Sequence, residues 1–282
     1  MHTKNENKRL TQKIASLEEE LNTMRNRLQN LQSVILSNIS HDIRTPMNAI
    51  VGFANLLAND KMDSKEKEDC IDHINSNSSE LLEIIDNMID ASQLQSGDIK
   101  LYEKECYIND IMDDIYETYK ESKSIKQKNL NLVVSKGEDD SFFMVTDFNR
   151  LTQIIHNLIG NATKFTNKGC IEFGYYKINR NKVRFYVKDS GIGLGSFENE
   201  DLFKPFRACP NHNNGGYLKG AGLGLSISKS LVELMGGEMW PESEQGKGTC
   251  FYFTVPVKRN TFFKTKLELI NKISKRNIAS LF

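Results

Sequence analysis

Leu10, Ile14, Leu17, Leu21, Met24, Leu28, Leu31 and Ile35 recur at spacings of 4, 3, 4, 3, 4, 3 and 4 residues. Apolar residues repeating every 3.5 positions form a narrow stripe along one side of a helix, the seam of a coiled coil. No glycine or proline interrupts residues 1–36. The strict heptad favours a parallel two-stranded coiled coil over a single amphipathic helix lying on its own domain. Ile39, Ile43, Ile50, Ala54 and Leu57 carry an apolar face onward, and the turn-like stretch 59–64 breaks it. A second helix is predicted with Asp63 as its cap and Glu66, three residues on, as the capping-box partner. This helix buries Ile71, Ile74, Leu81, Ile85 and Met88 or Ile89, and Gly97 ends it. Two helices joined by a short loop make a hairpin, and the hairpins of two chains make a four-helix bundle.

The texture changes near residue 100. A helix is expected over Asp110–Lys120, a strand over Asn129–Val134 and a second helix over Phe148–Phe165. Strands at Cys170–Lys177 and Lys182–Lys188 read as a hairpin turning at Asn179–Asn181. A glycine-rich region follows, then a helix at about 223–235 and a strand pair ending in CFYFTVPV at 250–257. Strands mixed with helices predict an α/β sandwich. The fold class is therefore α+β multidomain, with a coiled coil at 1–36, a dimerisation hairpin at 37–97, the sandwich at 102–257 and a basic tail at 258–282.

Composition narrows the function. Lysine plus arginine equals aspartate plus glutamate, 37 each in 282 residues. Zero net charge argues against nucleic acid as the main partner, because phosphate binding needs a surplus of basic residues. No run approaches 18 apolar residues, and the opening MHTKNENKRL lacks an apolar signal core. Five cysteines, an odd number with no CxxC pair, exclude a disulfide scaffold and a cysteine zinc site. They point to a reducing, cytosolic setting.

Three stretches carry candidate chemistry. In SHDIRTP at 40–46, His41 lies about 160–200° around the helix from Ile39 and Ile43, so it faces solvent. Thr45 shares its face, and Pro46 sits inside a helical run at a cost of about 3 kcal/mol. An exposed imidazole beside the Asp42 carboxylate suits nucleophilic or acid/base work; a solvated surface histidine is the plainer alternative. On the helix 148–165, Asn157, Asn161 and Lys164 share one face. Amide oxygens can ligate Mg²⁺ and an ammonium suits a polyphosphate, although a solvated polar face has the same pattern. DSGIGLG at 189–195 and GAGLGLS at 220–226 let backbone amides approach a nucleotide. The second run is GxGxG, not GxGxxG, and no P-loop is present. Between the two runs, LFKPFRACPNHNNGGYLK reads as an anchored flap.

SHDIRTP, NLIGNATKFTNKG, DSGIGL, LFKPF, GAGLGLSISKSLVELMGG and ESEQGKGTCFYFTVP, in that order, resemble the sensor histidine kinases of two-component signalling. The resemblance covers about residues 35–257. It implies a histidine-phosphotransfer hairpin followed by an ATP-binding domain of the Bergerat type, with ATP and Mg²⁺ as cofactors. It implies His41 as phosphoacceptor, Asp42 as the residue that orients it and takes its proton, and Thr45 as an aid to phosphatase activity. Asn161 resembles the metal ligand, with Asn157 and Lys164 near the phosphates. Asp189 resembles the carboxylate that reads the adenine amino group, and Gly191 and Gly193 let the base lie flat. Phe203 and Phe206 seat the lid, and Gly220, Gly222 and Gly224 line the triphosphate. Arg207 is a candidate for reaching the terminal phosphate.

The partners implied are a second copy of the chain and a separate response-regulator receiver. The location implied is cytoplasmic, alone or as the cytosolic part of a membrane-bound sensor. The rival readings are another Bergerat ATPase and a degenerate dimeric nucleotide-binding scaffold. The tail 258–282 has seven basic residues and one acidic residue. It reads as a membrane-touching amphipathic helix, a disordered end or a connection to a further domain. The heptad seam predicts a dimer at micromolar concentration by light scattering, weakened by Leu21→Asp combined with Leu28→Asp; a monomeric unmutated chain contradicts this architecture.

Overall fold

The computed structural model describes residues 13, 17, 19, 21–23, 25, 37, 39–58, 62–137, 142–194, 202–205 and 222–258. The chain divides into two units, Met1–Ile89 with Phe206–Leu223, and Asp90–Pro205 with Gly224–Phe282. Most of the heptad seam, the tail beyond Lys258, and Phe206, Arg207 and Gly220 lie outside the described residues. Of the seam, Leu17 and Leu21 are helical and about half exposed, 53% and 52%.

In the first unit, helix α1 (39–57) runs without a break through Pro46. Helix α2 (Ser64–Ser96) starts at the reciprocal box read from the sequence. Glu66 N donates to Asp63 Oδ1 at 2.8 Å, and Asp63 N donates to Glu66 Oε2 at 3.0 Å. Gly97, at φ +73°, ends the helix, with Asp98 N donating back to Gln93 O at 3.0 Å. Within the single chain the expected apolar face is covered only in part. Cys70 and Ile84 are buried, whereas Ile71, Leu82, Ile85 and Ile89 stay 49%, 61%, 40% and 50% exposed. The apolar stripe is wider than one partner helix can cover, so the hairpin hides one edge of it and leaves the other open. Met47 and Val51 on α1 are exposed as well.

The second unit is a five-stranded sheet in the order β2-β4-β5-β7-β6. Its strands are β2 (Asn131–Ser135), β4 (Cys170–Asn179), β5 (Lys182–Asp189), β6 (Met239–Glu244) and β7 (Gly248–Pro256). All pairings are antiparallel except β2 with β4, which is parallel. A small second sheet pairs β1 (Lys104–Tyr107) with β3 (Phe143–Thr146). Helices α3 (Ile108–Lys120), α5 (Phe148–Phe165) and α6 (Gly224–Leu234) supply the helical layer. Period-two alternation gives β4, β5 and β7 one apolar face, with Phe173, Phe185 and Phe253 at most 1% exposed. Full burial of such a ring contributes about 1.5–3 kcal/mol. From α5, Leu151, Ile154, Leu158 and Ile159 are fully buried.

The expected sandwich is present. The strand expected from Asn129 starts two residues later, at Asn131, because Asn129 takes a left-handed conformation (φ 49°) to cap a short helix, α4 (Lys123–Lys128). That helix has a purpose in three dimensions. Lys128 Nζ donates to the carbonyl oxygens of Thr163 (2.6 Å) and Thr166 (3.1 Å) at the C-terminus of α5. A cation on the last carbonyls also complements the helix dipole. At the other end Asp147 Oδ1 accepts from Arg150 N at 3.1 Å. Lys128→Met removes the cap and leaves carbonyls without a partner; we expect a loss of about 1–2 kcal/mol, read as a lower urea midpoint at unchanged m-value.

Candidate functional site

Two groups of residues matter, one in each unit. His41 sits on the exposed side of α1, with 79% of its side chain open to solvent. Its Nδ1 lies 3.4 Å from Asp42 Oδ1. Thr45 Oγ1 donates to the His41 carbonyl at 3.1 Å, so that hydroxyl is engaged by its own helix. Pro46 is buried and has no N–H to give the Asp42 carbonyl one turn back. The structure thus brings His41, Asp42 and Thr45 to one exposed turn.

The second group gathers where α5, α6, the end of β5 and the β6–β7 turn meet. Asn157 Nδ2 donates to Ser228 Oγ on α6 at 2.7 Å. Gly224 opens α6 against the same amide; a Cβ there would lie 2.3 Å from Asn157 Oδ1. Asn161 follows one turn later and is half-buried. Lys164 Nζ lies 5.4 Å from the Phe165 ring centre.

Asp189 closes β5 and is 8% exposed. Its Oδ1 accepts from Gly191 N at 2.8 Å and Thr249 N at 3.4 Å, so both amides use the same oxygen. Burial raises the carboxyl above the usual aspartate range, and the two amide donors oppose that shift. The following turn is threaded tightly. A Cβ on Gly191 would sit 2.5 Å from the Phe165 carbonyl, and one on Gly193 (φ +71°) 2.3 Å from that of Glu244. Ile192 O accepts from Gly246 N at 2.8 Å, and Leu194 N donates to Ser243 Oγ at 2.8 Å. Glycine is therefore required for this loop to pass between α5 and the β6–β7 turn. Gly222 also takes a positive φ, +63°.

Phe203 is buried, with Lys229 Nζ 4.8 Å from its ring centre. His156 is held below the usual histidine range by burial and its carbonyl accepts from Tyr119 Oη at 3.0 Å, so it packs and takes no part in the polar cluster. Ser228 and Thr249 join the site without having been singled out from the sequence. Ser228 lies four residues after Gly224, one helical turn, and that spacing could have flagged it. Thr249 acts through its backbone, which no side-chain pattern records. Among the described residues no group of three or more His, Cys, Asp or Glu side chains could hold a metal ion. Any cation here would rest on amide oxygens and on the ligand's own oxygens.

Two family models match the chain. The His Kinase A (phospho-acceptor) domain matches residues 31–97, and the histidine kinase-, DNA gyrase B- and HSP90-like ATPase matches residues 146–259. The autoinducer 2 sensor kinase/phosphatase LuxQ of Vibrio parahaemolyticus is 32% identical over 79% of this chain and 26% of its own length. Histidine protein kinase 1 of Candida albicans is 37% identical over 84% of this chain and 10% of its own length. The chain thus spans about a quarter or less of these relatives. Among solved structures, full-length ShkA in complex with AMPPNP superposes with a TM-score of 0.59 at 28% identity, covering 80% of this chain and 46% of that one. With a phosphoacceptor hairpin and an ATP-binding sandwich in the same order, the chain belongs to the histidine kinases of two-component signalling.

Proposed function

We propose that this chain autophosphorylates His41 from ATP and passes the phosphoryl group to an aspartate of a separate response regulator, with phosphatase activity toward that regulator aided by Thr45. The observation that carries the reading is that one chain holds both an exposed histidine set against a carboxylate and a glycine-threaded polar cluster at Asp189 and Asn157, with Asn161 one turn along the same helix face. Asp189 Oδ2, the oxygen its backbone donors leave, accepts the adenine amino group. Gly191 and Gly193 keep the base's path clear of side chains. Gly220, Gly222 and Gly224 offer backbone amides to the triphosphate, and Phe203 with Phe206 anchors the lid. Asn161 ligates Mg²⁺, with Asn157 and Lys164 beside the phosphates. The tight fit of Gly224 against the Asn157 amide supports this arrangement. Bound Mg²⁺ supplies charge neutralisation of the triphosphate.

On His41, Nδ1 faces Asp42, which favours the neutral ring with its proton on that nitrogen before attack and makes Nε2 the nucleophile. Nε2 forms its bond to the terminal phosphorus as the bond from that phosphorus to the bridging oxygen breaks, releasing ADP. Asp42 stabilises the imidazolium and takes the Nδ1 proton. Positioning and charge neutralisation supply most of the rate. The second step moves the phosphoryl group from Nε2 to a carboxylate of the regulator. A homodimer fits the apolar edges left exposed on α1 and α2. The domain limits 1–36, 37–97, 102–257 and 258–282 belong to the same proposal.

Labelling with γ-labelled ATP tests it. His41→Gln is expected to bind ATP normally and never take label, and the wild-type label to be lost in acid and kept in alkali. Asn161→Asp is expected to block labelling with His41 intact. An acid-stable label, or full labelling of His41→Gln, removes His41 as acceptor. Asp189→Asn separates binding from folding. Because burial raises the Asp189 pKa, the ionised side chain weakens the folded state at neutral pH, and that cost disappears as pH falls through the folded pKa. The variant is expected to bind ATP about tenfold or more weakly. Calorimetry at pH 7 should show it melting no lower than wild type; a lower melting temperature contradicts the sign of the shift.

A further inference from the structure

The last turns of α2, from Asp90 on, belong to the second unit, and they meet it through charge. Asp90 is 7% exposed. Its Oδ1 accepts from Arg150 Nη1 at 2.7 Å and its Oδ2 from Gln153 Nε2 at 2.6 Å. Arg150 Nη1 also donates to Gln153 Oε1 at 2.8 Å, closing a ring of three side chains. Beside it, Asp147 takes the Arg150 amide on Oδ1 and the Tyr102 amide on Oδ2, the latter at 2.8 Å. The connector after α2 is therefore fixed to the start of α5 as well.

Arg150, Gln153, Asn157, Asn161 and Lys164 follow one another at spacings of 3, 4, 4 and 3. That period puts all five on one stripe of α5. The clamp on Asp90 and the amides of the nucleotide cleft are two ends of the same helix face, about 16 Å apart from Arg150 to Asn161 at 1.5 Å per residue. A joint needed only for stability is served as well or better by apolar side chains, since burying a charge pair costs much of what the pair returns. A carboxylate with both oxygens taken by two donors on successive turns does something apolar contacts do not. It sets rotation and axial register together.

We propose that Asp90 is a positioning residue for phosphoryl transfer: through Arg150 and Gln153 it locks the register between the last turns of α2 and the face of α5 that meets the phosphates. The inference rests on the phosphotransfer reading above. It assigns Asp90 a role in delivering the phosphoryl group and none in holding the nucleotide.

The test uses the full chain and three readouts: the initial rate of His41 labelling, the affinity for a fluorescent ATP analogue, and the melting temperature. In Asp90→Ala the labelling rate is expected to fall about tenfold or more, the scale of a small misplacement of reacting groups, with analogue affinity unchanged. The exchanged pair Asp90→Arg with Arg150→Asp re-forms the ion pair in reverse and is expected to recover most of the rate. An unchanged rate in Asp90→Ala overturns the proposal. So does an exchanged pair that is as slow as Asp90→Ala while binding and melting like wild type. A rate loss matched by an equal loss of analogue affinity also overturns it, and makes Asp90 a structural residue only. If the wild-type chain takes no label, the photometric binding of the analogue still reports on the cleft, and it is the phosphotransfer reading that fails, carrying this inference with it.

Discussion

Helix α5 cannot turn about its axis, and the cleft depends on that. Leu151, Ile154, Leu158 and Ile159 are sunk into the layer against the sheet with no exposed surface. Rotating the helix by one position would drag four apolar side chains toward water and push polar ones into a close-packed interior. The opposite stripe is therefore fixed by periodicity alone. Asn157 and Asn161 point where they do because Leu158 and Ile159 cannot point elsewhere. The caps from Asp147 and Lys128 then hold the two ends, where a helix otherwise frays.

The remaining wall of the cleft is built by omission. Three glycines, Gly191, Gly193 and Gly224, lie where any Cβ would strike backbone or a neighbouring amide. Their absence of side chains lets the turn after β5 close on the end of α5 and on the β6–β7 turn beside Asp189, and lets the start of α6 close on Asn157. Asp189 is costly in that setting, as its raised pKa records. Groups held at a cost by the folded chain are commonly those a ligand repays on binding.

Much of this was legible in the sequence, and the reason differs by residue. The capping box at Asp63 and Glu66, the stop at Gly97 and the polar face of α5 are local, and spacing alone gives them. The hairpin at Asn179–Asn181 was legible for the same reason. The short strands β1 and β3 were not, since four residues hold too little alternation to stand out from a loop. Lys128 and the ring of Asp90, Arg150 and Gln153 were invisible because their partners lie 35 to 63 residues away. On α2, Ile71, Ile85 and Ile89 are apolar at helical spacing and open in the single chain, which says that something covers them; spacing alone does not name what does.

The parallel pairing of β2 with β4 makes α5 part of the sheet's own connectivity. The β4–β5 and β6–β7 pairs close through turns of a few residues, so loop-closure entropy is small there. β2 reaches β4 only across a stretch that contains β3 and the whole of α5, with Asn131 opposite Cys170, and β5 reaches β7 across a longer one, with Lys188 opposite Cys250. Pairings of such sequence separation slow the search for the fold. The helix that carries the polar stripe is thus also the crossover through which the parallel edge of the sheet is closed.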